Sequence, residues 1–195
     1  MTMRTDTWAV SPAAANTTFF FGAGAVAGAG ALTLVATTPS VNGCGYKLIF
    51  TSAGDSSGMT FTVVGNVVGD SSRTTTEVVA GPNTTTATTA NYWSQIVSVT
   101  ASAAATGNQS IGFTGALALP RTRINGVHYV GAAATGSVVV SNSGTGKVLL
   151  NIDTPATATF AQYVNTGSLA VYGATATEVG LVTMTQVVKC TLVCG

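Results

Sequence analysis

Charge is what this chain lacks most. Only 7% of its 195 residues are Asp, Glu, Lys or Arg, against about 25% in an average soluble domain. Seven basic and six acidic residues, with a single histidine, leave a net charge of +1. So few cations give no electrostatic footprint for nucleic acid, and no nucleic-acid partner is expected. Disorder is excluded on other grounds, because it needs low hydrophobicity with high net charge, and here 46% of residues are hydrophobic. Titratable groups are too scarce to furnish an obvious catalytic centre, so the chain reads as a non-enzyme. Segments of strong helix formers with apolar residues at i, i+3 and i+4 are missing too, which excludes a helical architecture.

Cysteine is sparse and odd in number, three in all. Cys190 and Cys194 fall on one expected strand, about 13 Å apart along it, beyond disulfide reach. Only a tertiary approach could join Cys44 to one of them, so reduced structural thiols are expected. From Trp8 to Tyr46 there is no charge at all, and this stretch contains the apolar segment FFFGAGAVAGAGALTLVA at 19–36. It has the length of a membrane span, but Gly22, Gly24, Gly28 and Gly30 make it a poor helix and no basic flank orients it. No membrane association is expected. The leading residues, with Arg4 balanced by Asp6, do not resemble a signal peptide.

What the chain does have is threonine, valine, glycine and alanine in short alternating runs. Strand signals recur at 31–37, 46–52, 59–64, 74–80, 93–101 and 110–114. They recur again at 124–130, 137–141, 148–152, 159–164, 169–172, 179–184 and 187–193. The run Met59-Thr60-Phe61-Thr62-Val63 puts apolar side chains on one face and threonines on the other, the pattern of a sheet buried on one side. Turn clusters at 53–58, 69–72, 81–83 and 142–146 separate the runs. Around Pro120, flanked by Arg121 and Arg123, the texture changes. The expected architecture is all-β: an extended N-terminal arm over 1–21, then two antiparallel β-sandwich domains, 22–118 and 119–195. The two halves do not align, so no internal repeat is expected.

The order of these pieces carries a resemblance. GALTL at 30–34, YKLIFTSAGDSSGMTFTV at 46–63, TEVVAGPN at 76–83 and YWSQIVSV at 92–99 follow one another as in a β module of tailed-bacteriophage virion proteins. The second half, with GVHY at 126–129, TGSVVV at 135–140, GTGKVLLNIDTPA at 144–156 and VVKCTLV at 187–193, is similar to another phage β-sandwich type. The resemblance spans most of 30–114 and 123–195, while 5–21 carries no such pattern. It implies a virion structural protein, a head decoration or cement protein, partnered by the major capsid protein or other virion proteins and by its own copies, a trimer for instance. It contributes no catalytic residues. A tail, collar or head–tail adaptor component is the nearest alternative. A host-surface or carbohydrate-binding β-sandwich is the other, and would need an exposed aromatic platform at Trp93, Tyr129 or Tyr172.

Candidate sites weigh towards structure rather than chemistry. His128 stands on an expected strand without the adjacent nucleophile and acid that a triad requires. Cys190 and Cys194, with distant His128 and Cys44, do not match zinc spacing. Asp55 and Asp70 sit in Ser/Gly turns, too few for a tight calcium site, and are expected to cap those turns. The segment Ser143-Gly144-Thr145-Gly146-Lys147 lacks the first glycine and the final Ser/Thr of a phosphate loop, so a hairpin is expected. No cofactor or metal follows. Trp93 and Phe61 are the expected seeds of the first core. Phe19, Phe20 and Phe21 differ: three consecutive aromatics cannot all face one core from a strand, and they are the expected interface residues.

Overall fold

The computed structural model describes residues 8–40, 42–120, 122–156, 161–171 and 179–194. Regular structure among them is strand. The chain opens with β1 (Trp8–Val10). It continues through β2 (Asn16–Gly24), β3 (Gly30–Ala31), β4 (Leu48–Ser52), β5 (Thr60–Val67), β6 (Asp70–Ala80), β7 (Thr86–Thr88), β8 (Trp93–Ala101) and β9 (Gln109–Phe113). It ends with β10 (Leu117–Leu119), β11 (Thr122–Gly131), β12 (Gly136–Asn142), β13 (Val148–Thr154), β14 (Ala161–Val171), β15 (Gly180–Thr185) and β16 (Val187–Cys194). Every pairing between them is antiparallel.

The chain divides into two compact units. One is Ala15–Gly115; the other combines Met1–Ala14 with Ala116–Gly195. The first holds two four-stranded sheets, ordered β2-β9-β4-β7 and β3-β8-β5-β6. The second also holds two, ordered β1-β16-β11-β14 and β10-β15-β12-β13. Counting strands from first to eighth within each unit, both read 1-8-3-6 and 2-7-4-5. A sequence without a visible repeat thus builds one strand order twice, and the first unit is inserted between the first and second strands of the other.

Local pairing explains how the insertion closes. The inserted unit begins and ends on neighbouring strands, with Asn16 opposite Phe113, so its two ends leave side by side. Gly112 makes this approach possible: a Cβ there would lie 1.8 Å from the Asn16 carbonyl oxygen. Residues 8–10 and 16–21, expected as part of an arm, are therefore paired strands. The arm is not a separate segment among the described residues, because β1 completes the sheet of β16, with Trp8 opposite Cys194 and Val10 opposite Leu192.

Period-two burial carries most of the remaining strands. On β5 the buried residues are Phe61, Val63 and Gly65; on β4 they are Leu48, Phe50 and Ser52. The two sheets of the inserted unit meet where Phe50 stacks on Phe61, ring centroids 4.7 Å apart. Trp93 and Phe61 are both fully buried, in the core-forming role the sequence predicts. Tyr46 stacks on Phe113 at 4.6 Å. In the other unit Leu117, Leu119, Ile124, Tyr129 and Leu192 are fully buried, and the Tyr129 hydroxyl donates to Gln162 Oε1 at 2.7 Å. Each such large side chain contributes roughly 1.5–3 kcal/mol through burial.

The expected buried strand at 31–37 is mostly irregular. Only Gly30–Ala31 pairs in a ladder, and Val35 is 76% exposed. The segment bridges strands of both sheets instead: Leu32 N–H donates to Val99 O on β8, and Val35 N–H to Phe20 O on β2. The pieces expected at 159–164 and 169–172 are joined in β14, with residues 157–160 and 172 outside the described chain. The turn residues make the expected local bonds, although Asp70–Ser72 already belong to β6. Asp55 Oδ1 accepts from Ser57 N and Oγ, and Asp70 Oδ1 from Ser72 N and Oγ. Asn142 Oδ1 accepts from Gly144 N and Thr145 N, closing a hairpin rather than a phosphate loop.

Candidate functional site

The three consecutive phenylalanines lie on β2, at the end of their sheet. Phe20 is buried, while Phe19 and Phe21 on either side of it are half-buried. Phe19 packs edge-on against Phe20 and Phe113, both at 5.0 Å between centroids. The strand that carries them is only loosely laddered to β9. Its partners are Asn16↔Phe113, Phe21↔Ile111 and Gly24↔Gln109, with register breaks between each. These bulges let a run of bulky rings share one edge without all entering the core, and leave Phe19 and Phe21 partly facing outward.

His128 is half-buried on β11, opposite Tyr163 of β14 and Thr191 of β16. No acid stands in that row, and the sulfur nearest in sequence, Cys190, occupies the alternate face. Among the described residues no three His, Cys, Asp or Glu side chains form a group able to hold a metal ion. Cys44, Cys190 and Cys194 are buried. Burial pushes the Cys190 thiol up to about 12 and the Cys194 thiol up to about 11, the latter opposed by a hydrogen bond from Thr122. Both are therefore protonated side chains of the core. Hydrogen bonds from Ser57 hold the exposed Asp55 carboxyl below its ordinary range, consistent with turn capping.

No family model, curated protein or solved structure matches this chain.

Of the aromatics that a sugar-binding face would need, Trp93 and Tyr129 are buried, and Tyr172 lies outside the described residues. An exposed aromatic among the described residues is one the sequence did not single out. Tyr163 is 54% exposed, and its ring lies over Gly126, where a Cβ would come within 2.1 Å of the Tyr163 hydroxyl oxygen. A glycine on the strand next to an aromatic is the only signal that pointed to it.

A second surface escaped the sequence reading altogether. β6 forms the end of the β3-β8-β5-β6 sheet and pairs with β5 alone. Along its eleven residues Ser71, Ser72, Arg73, Thr74, Thr76, Val78 and Ala80 are exposed. Glu77 turns its carboxylate to the loop between β7 and β8, accepting from Ala90 N at 2.5 Å, Asn91 N at 3.1 Å and Asn91 Nδ2 at 2.8 Å. Arg73 makes no ion pair with a described residue. Whether a strand is at a sheet's end depends on pairing, not on local pattern, so the alternation at 74–80 could not reveal it.

Proposed function

We propose that this chain is a non-enzymatic structural component of a tailed-phage virion, a head decoration or cement protein that acts through contacts with the capsid lattice and with its own copies. Each unit is read as an antiparallel β-sandwich. Its 1-8-3-6 and 2-7-4-5 order is that of a double-sheet jelly roll, an architecture used by viral capsid and lectin domains. That order, present in both units, is the observation that carries the reading. The sequence resemblance to phage virion modules supports it from an independent direction. So does the shortage of charge, since contacts between neutral faces depend little on salt and many identical weak contacts add by avidity.

The test is a copy count on purified particles of the phage encoding the chain. Stoichiometry comparable to the major capsid protein is expected for a shell component. About six or twelve copies would place it on the portal–tail axis instead, and absence from particles overturns the proposal. The lectin use of the same architecture, together with the exposed Tyr163 ring, favours glycan binding as the second reading. A glycan array on which Tyr163→Ala abolishes a wild-type signal would favour that reading over the first.

A further inference from the structure

We propose that two copies of this chain associate edge to edge through β6, antiparallel, about a two-fold axis passing through Thr75, so that Arg73 of each copy lies opposite Glu77 of the other. The proposal is independent of the virion reading, which its failure would leave standing.

The case begins with an open edge. Unpaired backbone on a long, regular end strand is a template for another strand, and proteins normally blunt such edges with lysine, proline, bulges or short length. β6 has none of these along its outer half. Residues 70–80 contain no lysine or proline, and the single register break of its ladder, between Gly65 and Val67 of β5, lies towards the hairpin tip. The other strands at sheet ends are less suited. β1, β3, β7 and β10 have two or three residues, β2 is bulged, β13 has only seven residues and a break in its ladder with β12 between Val140 and Ser141, and β14 contains Gly167 at φ 62°.

The register then selects the partner. In an antiparallel pair, residues whose N–H and C=O point outward must face residues of the same kind. A strand pairing with its own copy can therefore match only positions of equal parity, with the axis through a residue. Among those registers, the one centred on Thr75 sets Asp70 opposite Ala80 and overlaps all eleven residues of β6. The same register places Arg73 opposite Glu77 twice, and Thr74 opposite Thr76 twice. Shifting the axis by one residue either way leaves both charges opposite uncharged residues. Full overlap and charge complementarity thus coincide in a single arrangement, and the occupant that satisfies it is a second copy of the strand.

The full chain should sediment as a concentration-dependent dimer in analytical ultracentrifugation. Arg73→Glu turns both cross-strand pairs into like charges and should raise the dimer dissociation constant roughly tenfold. Arg73→Gln, which removes the attraction without adding a like charge and leaves the Glu77 bonds to Ala90 and Asn91 in place, should raise it less, with circular dichroism verifying that each variant is folded. A covalent readout stands apart from charge. Opposed Cα atoms in an antiparallel pair are about 4.5–5.5 Å apart, within disulfide reach. Thr75→Cys should therefore give a disulfide-linked dimer on mild oxidation, whereas Thr74→Cys, facing Thr76 of the other copy, should not. The native cysteines are buried and do not compete. A chain that stays monomeric and yields no Thr75→Cys dimer overturns the proposal. Equal cross-linking of the two cysteine variants, or a dimer indifferent to Arg73→Glu, overturns it as well.

Discussion

Phe61 and Phe19 both touch other rings, yet their exposures assign them different duties. Phe61 is fully buried and stacks on Phe50 across the two sheets, so Phe61→Ala should cost about 3–5 kcal/mol in urea unfolding. Phe19 is half-buried and keeps only edge-on contacts, worth roughly 0.5–1.5 kcal/mol each. Phe19→Ala should therefore cost clearly less stability while weakening any contact its outer face makes. The thiols define a second test. Cys190 and Cys194 have folded pKa values raised to about 12 and about 11 from an ordinary 9.0. Below pH 9 both states hold the protons and stability is unaffected. Above it the unfolded chain loses protons first, so stability should fall between about pH 9 and about pH 12 and then level off. Cys190→Ser with Cys194→Ser should flatten that alkaline slope, and a thiol reagent should label the native chain only as it unfolds. The core role of Trp93 was legible in the sequence, as was the placing of Cys190 and Cys194 as structural thiols on one strand; the burial of Tyr129 was not, because it depends on which face the partner sheet covers.

At the scale of elements, legibility followed length. β5 and β8 are long enough for period two to show, and the turn chemistry of Asp55, Asp70 and Asn142 is local, so all were readable. β1, β7 and β10 have three residues each, too short to carry a period, and exist because a neighbour offers them a ladder. The run Leu32-Thr33-Leu34-Val35 shows the converse: apolar and β-branched, it misses the ladder because its hydrogen bonds go to two different sheets. β1 gives the sharpest test. Val10 is 3% exposed and sits opposite Leu192, so Val10→Asp buries an unpaired charge at a cost of roughly 2–4 kcal/mol. Hydrogen exchange should speed up in β11 and β16, far away in sequence, while amides of β4, β5 and β8, closer in sequence, keep their protection.

For the whole molecule the nested order governs what can be cut. Residues 15–115 form a unit whose first and last strands are paired, the condition under which an inserted segment folds alone. Expressed by itself it should show a cooperative β transition. Residues 116–195 alone lack β1 and should be less stable and prone to aggregate through the bared edge of β16; fusing 8–14 directly to 116 should restore a cooperative fold. The return of β1 to β16 was not readable from the sequence, since it joins residues separated by nearly the whole chain. That return also has a mechanical consequence. With Trp8 opposite Cys194, a tether pulling on the two chain ends loads the β1–β16 ladder at one end, and its bonds open one after another like a zip rather than all together. The inserted unit carries no tension until that zip has run, so under force the chain has a built-in order of failure, with residues 15–115 as its sheltered link.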